Sequence, residues 1–186
     1  MDKYTGKKYE CVGMVARWRP VHLGQAPVLR GLCTQADHAL IGIGSANRYN
    51  ARNPFTVAET EAMIRSVLAD FDNYELLRVD DLDDGPRWRA MIVALFGPLD
   101  VFFTANPYVA DLLQNDYEVQ HPIVLVPEAH RVPIDGTRVR RAMARGEAWQ
   151  QLVPESVSHY IEAHGLDDRF RREFGLETLH SAIREI

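Results

Sequence analysis

Five short apolar runs mark the first two thirds of the chain: YECVGMVA (9–16), HALIGIGS (38–45), YELLRV (74–79), DVFFTAN (100–106) and EVQHPIVLV (118–126). Each is bounded by polar or turn-forming residues. Most are nearly continuous rather than alternating, the pattern of strands buried on both faces. The stretches between them repeat at helical spacing. Residues 25–36 put Val28, Leu29 and Leu32 on one face, and residues 56–69 turn Met63, Ile64, Val67 and Leu68 inward behind a Thr56–Glu59 capping box. Proline at the first helical position opens 86–96 and 107–113. Beyond the last run the pattern is wholly helical, over 137–145, 154–164 and 167–185, with Phe170, Phe174 and Ile183 sharing one face of the last helix.

Strand and helix in alternation predict an α/β fold: a Rossmann-like parallel sheet of about five strands, with right-handed crossovers, flanking helices and a helical C-terminal region. No linker, repeat or low-complexity segment divides the 186 residues, so a single domain over 1–186 is expected, with an α/β core over 9–145 and C-terminal helices over 146–186. In such sheets ligands bind outside the carboxyl ends of the strands, where strand order reverses. Loops 16–25, 45–56, 80–86, 104–107 and 127–137 are therefore the places for chemistry.

Composition narrows the partners. With 46% hydrophobic and 25% charged residues the chain reads as a globular protein, and Cys11 and Cys33 lie in apolar surroundings as reduced thiols would. The first residues, MDKYTGKKYE, are polar, and no run is long enough to span a bilayer; a cytoplasmic protein with no membrane partner is expected. A net charge of −5 argues against nucleic acid as a partner. Yet RVRRAMAR (138–145) concentrates four arginines without an acid, which suits a small anion better than a long polyanion. The aspartates of VDDLDD (79–84), Asp80, Asp81, Asp83 and Asp84, could hold a cation, but such a run at a strand end is most often a solvated turn.

Two segments carry the candidate chemistry. RWRPVHLGQ (17–25) leaves the first strand with Arg17, Arg19 and His22, a stiffening proline, and Gly24 for close backbone approach ahead of a helix N-terminus. It is either a triphosphate loop or a surface loop with solvated arginines. PIDGTRVRRAM (133–143) sets Gly136 and Thr137 at a helix start, with Arg140 and Arg141 one turn on; arginine forks match phosphate oxygens, and the alternative is a capped helix with a basic face. IGIGSANRYNARNPFT (41–56) lacks the dinucleotide fingerprint, and no histidine spacing fits a metal site, so no metal ligand is expected from the chain itself.

Taken together these segments resemble the archaeal-type nicotinamide-nucleotide adenylyltransferases of the HxGH nucleotidyltransferase superfamily. The family's G-R-F-Q-P-F-H-x-G-H appears as ARWRPVHLGQ (16–25), its I-G-S-A-Q and N-P-F-T with a following glutamate as IGSAN (43–47), NPFT (53–56) and Glu59, and its S-G-T-x-I-R-R as DGTRVRR (135–141). TAN (104–106) and GEAWQQLVP (146–154) also match. The resemblance implies transfer of AMP from ATP to nicotinamide mononucleotide, giving NAD and pyrophosphate, with Mg²⁺. It gives His22 the α-phosphate, Arg17 and Arg140 the β- and γ-phosphates, and Arg19, Gly24, Gly136 and Thr137 further parts of the ATP site, with Gln25 as a catalytic neighbour. Asn106, Trp88, Phe55, Thr56 and Glu59 fall to the mononucleotide, with Trp88 either stacking on the pyridine ring or serving the core. Members of the family form hexamers, so a homo-oligomer is implied.

The chain departs from that pattern in four places. Gln25 stands for the second histidine, Arg19 for a glutamine, Asp135 for a serine, and Thr60 where arginine is common. A neutral amide donates a weaker bond than an imidazolium. Arg19 is expected to replace part of the charge missing at position 25, with magnesium near Asp135. Two other readings follow from the departures: a same-fold enzyme using another phosphorylated acceptor or CTP, and a nucleotide-binding protein without catalysis.

Overall fold

The computed structural model describes residues 6–183. Five strands, β1 (Tyr9–Ala16), β2 (Ala36–Ile43), β3 (Tyr74–Arg78), β4 (Val101–Phe103) and β5 (Val119–Gln120), form one sheet in the order β3-β2-β1-β4-β5. Every neighbouring pair is parallel. Between them run α1 (Ala26–Gln35), α2 (Val57–Val67), α3 (Gly85–Phe96) and α4 (Pro107–Leu113), followed by α5 (Gly136–Arg145), α6 (Glu155–Ala163) and α7 (Leu166–Ile183). The order reverses between β1 and β4, so their carboxyl ends open a crevice between loops that diverge to opposite sides.

The apolar pattern explains the layering. One buried cluster packs α1, α2, α5 and α6 against one face of the sheet around Leu29, Ile41, Ile64, Met143 and Ile161. A smaller cluster, with Ile92, Phe96, Phe102 and Leu113, fills the space beneath α3 and α4. Residues of β1 and β2 feed both clusters, which is why these strands read as unbroken apolar runs.

The two strands on the far side of the crevice are shorter than the apolar pattern suggests. β4 stops at Phe103 because the Thr104 hydroxyl accepts the Asn106 N–H at 3.1 Å and turns the chain. The last run, 118–126, is extended only at Val119–Gln120 and then forms a 3-10 turn over Pro122–Leu125. Pro122 has no N–H for the ladder, and the Nδ1 of His121 accepts the Ile123 N–H at 3.1 Å.

The C-terminal helix α7 lies along α5 and α6. Phe170 is fully buried there and Phe174 partly so, whereas the side chain of Ile183 lies outside the described residues. Arg169 of α7 donates to both carboxylate oxygens of Glu59, at 2.6 and 2.7 Å, and to the Pro54 carbonyl at 3.2 Å. Burial opposes the charged form of Glu59, yet the Arg169 and Thr56 hydrogen bonds prevail and hold its carboxyl below the ordinary range. The Arg169→Ala variant is expected to lose about 2–4 kcal/mol in a urea titration, since it strands a largely buried carboxylate.

Candidate active site

At the carboxyl ends of the strands lies a cleft of about 900 Å³, reached by the loops after all five. Residues 17–25 supply its floor at the β1–β4 crevice, and 135–140 close it from the side. A glycine makes that approach possible: a Cβ at residue 24 would stand 2.4 Å from the Ile134 carbonyl oxygen and 3.1 Å from that of Val132.

His22 is buried, and its Nδ1 has no partner within the protein. Burial pushes its pKa down to about 4, with the Asp135 carboxylate opposing and the Arg140 guanidinium assisting. The imidazole is therefore neutral at pH 7 and offers one N–H rather than a charge. Between about pH 4 and the ordinary value of 6.5 the unfolded chain binds a proton that native His22 refuses. That part of the stability is present above pH 6.5 and is lost as pH falls toward 4. Urea midpoints at pH 7 and pH 5 should thus differ less in His22→Gln than in the wild type.

Arginines surround this ring. Arg17 lines the cleft; desolvation and the charge of Arg52 lower its pKa, with Asp81 opposing. Arg140 donates to the Arg19 carbonyl at 3.2 Å and to the Thr137 hydroxyl at 3.4 Å. Burial, then Arg17 and Arg52, push its guanidinium down to about 10, with Asp135 opposing. It remains a cation at neutral pH. Arg52, exposed and outside the cleft lining, is marked by no motif. It lies in the loop after β2, where an Asx turn at Asn50 accepts its N–H at 3.0 Å, and its charge acts on both Arg17 and Arg140. Only the closure of the β1, β2 and α5 segments on one another reveals it, because nothing in ARNPFT marks Arg52 apart from other loop arginines.

Asp135 does not disturb this basic cluster without purpose. Its carboxylate accepts the Arg138 N–H at 2.8 Å and caps α5, which sets Gly136 and Thr137 at the helix N-terminus facing the cleft. Gln25 also lines the cleft, with Oε1 buried and unpartnered. At the start of α1 the N–H groups of Gln25 and Ala26 fold back onto the His22 carbonyl, at 2.8 and 2.9 Å, and Pro27 has none. This helix start thus directs fewer free amides into the loop than its sequence suggests.

Arg19 reaches from the first loop to the loop after β2. It is 3% exposed, and its guanidinium donates to Thr60 Oγ1, to the Ser45 carbonyl and toward the Arg48 carbonyl. Gln25 is not among its partners; Arg19 also lines the cleft, and its Nη2 is buried without a partner in the protein.

On the other wall Trp88 is half-buried: it packs on the smaller cluster while its free edge lines the cleft, so both of its expected roles are open to it. Asn106 is exposed at the start of α4, where Oδ1 accepts the Tyr108 N–H at 3.0 Å; its amide nitrogen is thereby left to donate. Tyr108, 60% exposed, stands beside it at the rim. The aspartate run is not merely a solvated turn. Asp81, Asp83 and Asp84 line the cleft, Arg48 pairs with Asp83, and Asp84 caps α3 through the Arg87 N–H.

Phe55, Thr56 and Glu59 are not brought to the cleft. Phe55 is fully buried in the core. The Thr56 hydroxyl accepts the Glu59 N–H at 3.2 Å while the Glu59 carboxylate accepts the Thr56 N–H at 2.9 Å, and the free side of that carboxylate faces Arg169. The N-P-F-T match marks how a helix begins, and the residues that begin it are consumed in doing so.

Fold and cleft together define a Rossmann-like protein with arginines and a buried histidine at its switch-point crevice and an aromatic and amide wall opposite. No family model matches the chain. Individual relatives do. It is 31% identical over 162 residues to a nicotinamide-nucleotide adenylyltransferase of Methanococcus maripaludis, covering 86% of this chain and 92% of the relative. Enzymes of the same name from Thermococcus kodakarensis (33%, covering 79% of each chain) and Thermoplasma volcanium (34%, covering 80% of this chain and 83% of the relative) are similar to it as well. The chain belongs to the nicotinamide-nucleotide adenylyltransferases, a nucleotidyltransferase family. The fold is shared with two crystal structures of a bifunctional NMN adenylyltransferase/ADP ribose pyrophosphatase from Francisella tularensis, one of them complexed with AMP and a manganese ion. Each is 14% identical, with TM-scores of 0.64 and 0.68; 88% of this chain is covered, and it spans about half the length of those chains.

Proposed function

We propose that this protein transfers AMP from ATP to nicotinamide mononucleotide, releasing pyrophosphate and forming NAD. The observation that carries the reading is the convergence of His22, Arg17, Arg140 and Thr137 at one end of a cleft whose other wall holds Trp88 and Asn106. An oxygen of the mononucleotide phosphate attacks the α-phosphorus, and the bond to the β-phosphate oxygen breaks with its electrons going to pyrophosphate. The attacking phosphate is already an anion at neutral pH, so no side-chain nucleophile or base is required; alignment and charge neutralisation suffice. Neutral His22 donates to an α-phosphate oxygen. Arg17 and Arg140 receive the charge that grows on the β- and γ-phosphates, and the Thr137 hydroxyl and the α5 N-terminus add donors. Trp88 offers a face for the pyridine ring, and the Asn106 amide nitrogen a donor for the carboxamide oxygen.

Among the described residues no group of three or more His, Cys, Asp or Glu side chains is disposed to hold a metal. A divalent cation, magnesium by our reading, would come with ATP, with Asp135 of the cleft lining as its neighbour in the protein. When bound it neutralises phosphate charge alongside the arginines. Among the described residues no helix is long and apolar enough to cross a membrane. We take the protein to work as a cytoplasmic homo-oligomer.

Pyrophosphate release measured with ATP and magnesium, with nicotinamide mononucleotide beside nicotinate mononucleotide and other phosphorylated acceptors, tests the reaction. NAD formation with the first acceptor is the expected result. Release only with another acceptor, or only from CTP, would replace the substrate assignment, and ATP binding without release would make the protein a binder.

A further inference from the structure

We infer that Tyr108 is a specificity-determining residue for the acceptor: its ring, seated against the glycine that opens α3, completes with Trp88 an aromatic corner for a flat cationic ring, the pyridinium of the mononucleotide. This rests on the mononucleotide reading of the cleft's second wall. A Cβ at residue 85 would stand 2.2 Å from the Tyr108 hydroxyl oxygen, 3.3 Å from its Cζ and 3.4 Å from Leu112 Cδ2. The phenol of α4 thus lies on bare α3 backbone, a seat open only because Gly85 has no side chain. Gly85 and Trp88 are three positions apart in one helix and so share a face. Tyr108 meets that face one turn before Trp88, and all three residues line the cleft.

The ring is held at both ends and open between them. At its root, Asn106 Oδ1 accepts the Tyr108 N–H at 3.0 Å, and the Asn106 N–H is itself donated to Thr104 Oγ1 at 3.1 Å. The next turn of α4 packs Val109 and Leu112 with Trp88 on the smaller cluster, which fixes the helix beneath the corner. Tyr108 nevertheless stays 60% exposed, so aromatic surface at the mouth of the cleft is left for a ligand to cover. The charges beside it suit a cation. Asp83 is paired with Arg48, and Asp81 lies 3.8 Å from Arg48 Nε and acts on Arg17 and Arg19. Asp84, immediately before Gly85, accepts the Arg87 N–H at 2.9 Å and keeps its negative charge. Electron-rich ring faces and a carboxylate at one corner attract a pyridinium, whereas a neutral ring of the same outline gains much less.

The test is a double-mutant cycle of Gly85→Ala with Tyr108→Ala, read by calorimetry as affinity for nicotinamide mononucleotide without ATP, beside affinity for inorganic tripolyphosphate. Tyr108→Ala is expected to weaken mononucleotide binding about fivefold, the size of effect one aromatic face has on a partly exposed cation. Tyr108→Phe keeps the face and should stay within about twofold. Gly85→Ala should cost about as much as Tyr108→Ala, because its methyl displaces the phenol tip, the free end of a side chain able to rotate. In the Tyr108→Ala background it should cost less than about twofold, the ring it displaces being gone. Reduced nicotinamide mononucleotide, whose ring is uncharged, should lose no more than about twofold on Tyr108→Ala. Tripolyphosphate affinity should stay unchanged throughout, which also shows that each variant folds. No loss with Tyr108→Ala, a full Gly85→Ala loss in the absence of the ring, equal losses for the oxidised and reduced mononucleotides, or a matching loss for tripolyphosphate would each overturn the proposal. A wild type that binds tripolyphosphate but no mononucleotide would overturn the acceptor assignment and this inference with it, whereas mononucleotide binding indifferent to residue 108 overturns this inference alone.

Discussion

Arg140→Ala is expected to lower kcat/KM for ATP by about two to three orders of magnitude, the cost typical of removing one fixed donor at developing charge. Two roles are lost at once. The guanidinium stands between the α5 N-terminus and the first loop, bonded to Thr137 Oγ1 and to the Arg19 carbonyl, so its removal takes away a phosphate donor and the tie between the two segments. Arg140→Lys should recover only a small part, since one ammonium cannot serve both acceptors and a phosphate in fork geometry. A companion measurement separates charge from structure. Burial, then the charges of Arg17 and Arg52, push the Arg140 guanidinium down to about 10. Tripolyphosphate relieves the repulsion, so it should raise the melting temperature of the wild type, and clearly less so that of Arg140→Ala. An activity within about threefold of wild type would remove Arg140 from the site.

Gly24→Ala should be nearly as damaging, for a steric reason. The added methyl would meet the Ile134 carbonyl oxygen at 2.4 Å, and neither side of that contact is a side chain able to rotate away. The first loop and segment 132–134 must separate, and the latter leads directly into Asp135, Gly136 and Thr137. Overpacking of this kind costs about 1–3 kcal/mol of stability. Misplacing reacting groups by about 1 Å can cost a hundredfold in rate, so kcat/KM should fall by about that factor while the protein still folds. Urea denaturation and steady-state kinetics on the same preparation check both. Unchanged kinetics would mean that the approach of the two segments is not needed for turnover.

Much of the architecture is legible in the residues. The unbroken apolar runs of β1 and β2 announce strands covered on both faces, the prolines at 86, 107 and 154 mark helix starts, and the Thr56–Glu59 pair forms the capping box its spacing implies. Such features depend on neighbours a few positions away. The edge strand β5 was harder to read because its apolar residues serve a 3-10 turn as well as a strand, and the proline that decides between them acts on hydrogen bonds the sequence does not display.

The site divides along the same line. Sequence alone determined which segments approach the cleft: the loop of His22, the turn of Gly136 and Thr137, the start of α4 at Asn106, and the helix bearing Trp88. Each is announced by residue types with a local preference, such as glycine for close approach or an N-cap before a helix. Only the tertiary structure decided which side chains face the ligand. It put Glu59 on Arg169, buried Phe55, and turned Arg19 toward Thr60 and Ser45. A motif reports that a residue type is needed near a place. The direction of a guanidinium or carboxylate is set by partners dozens of positions away, through hydrogen bonds that exist only once β1, β2 and α5 have closed on one another.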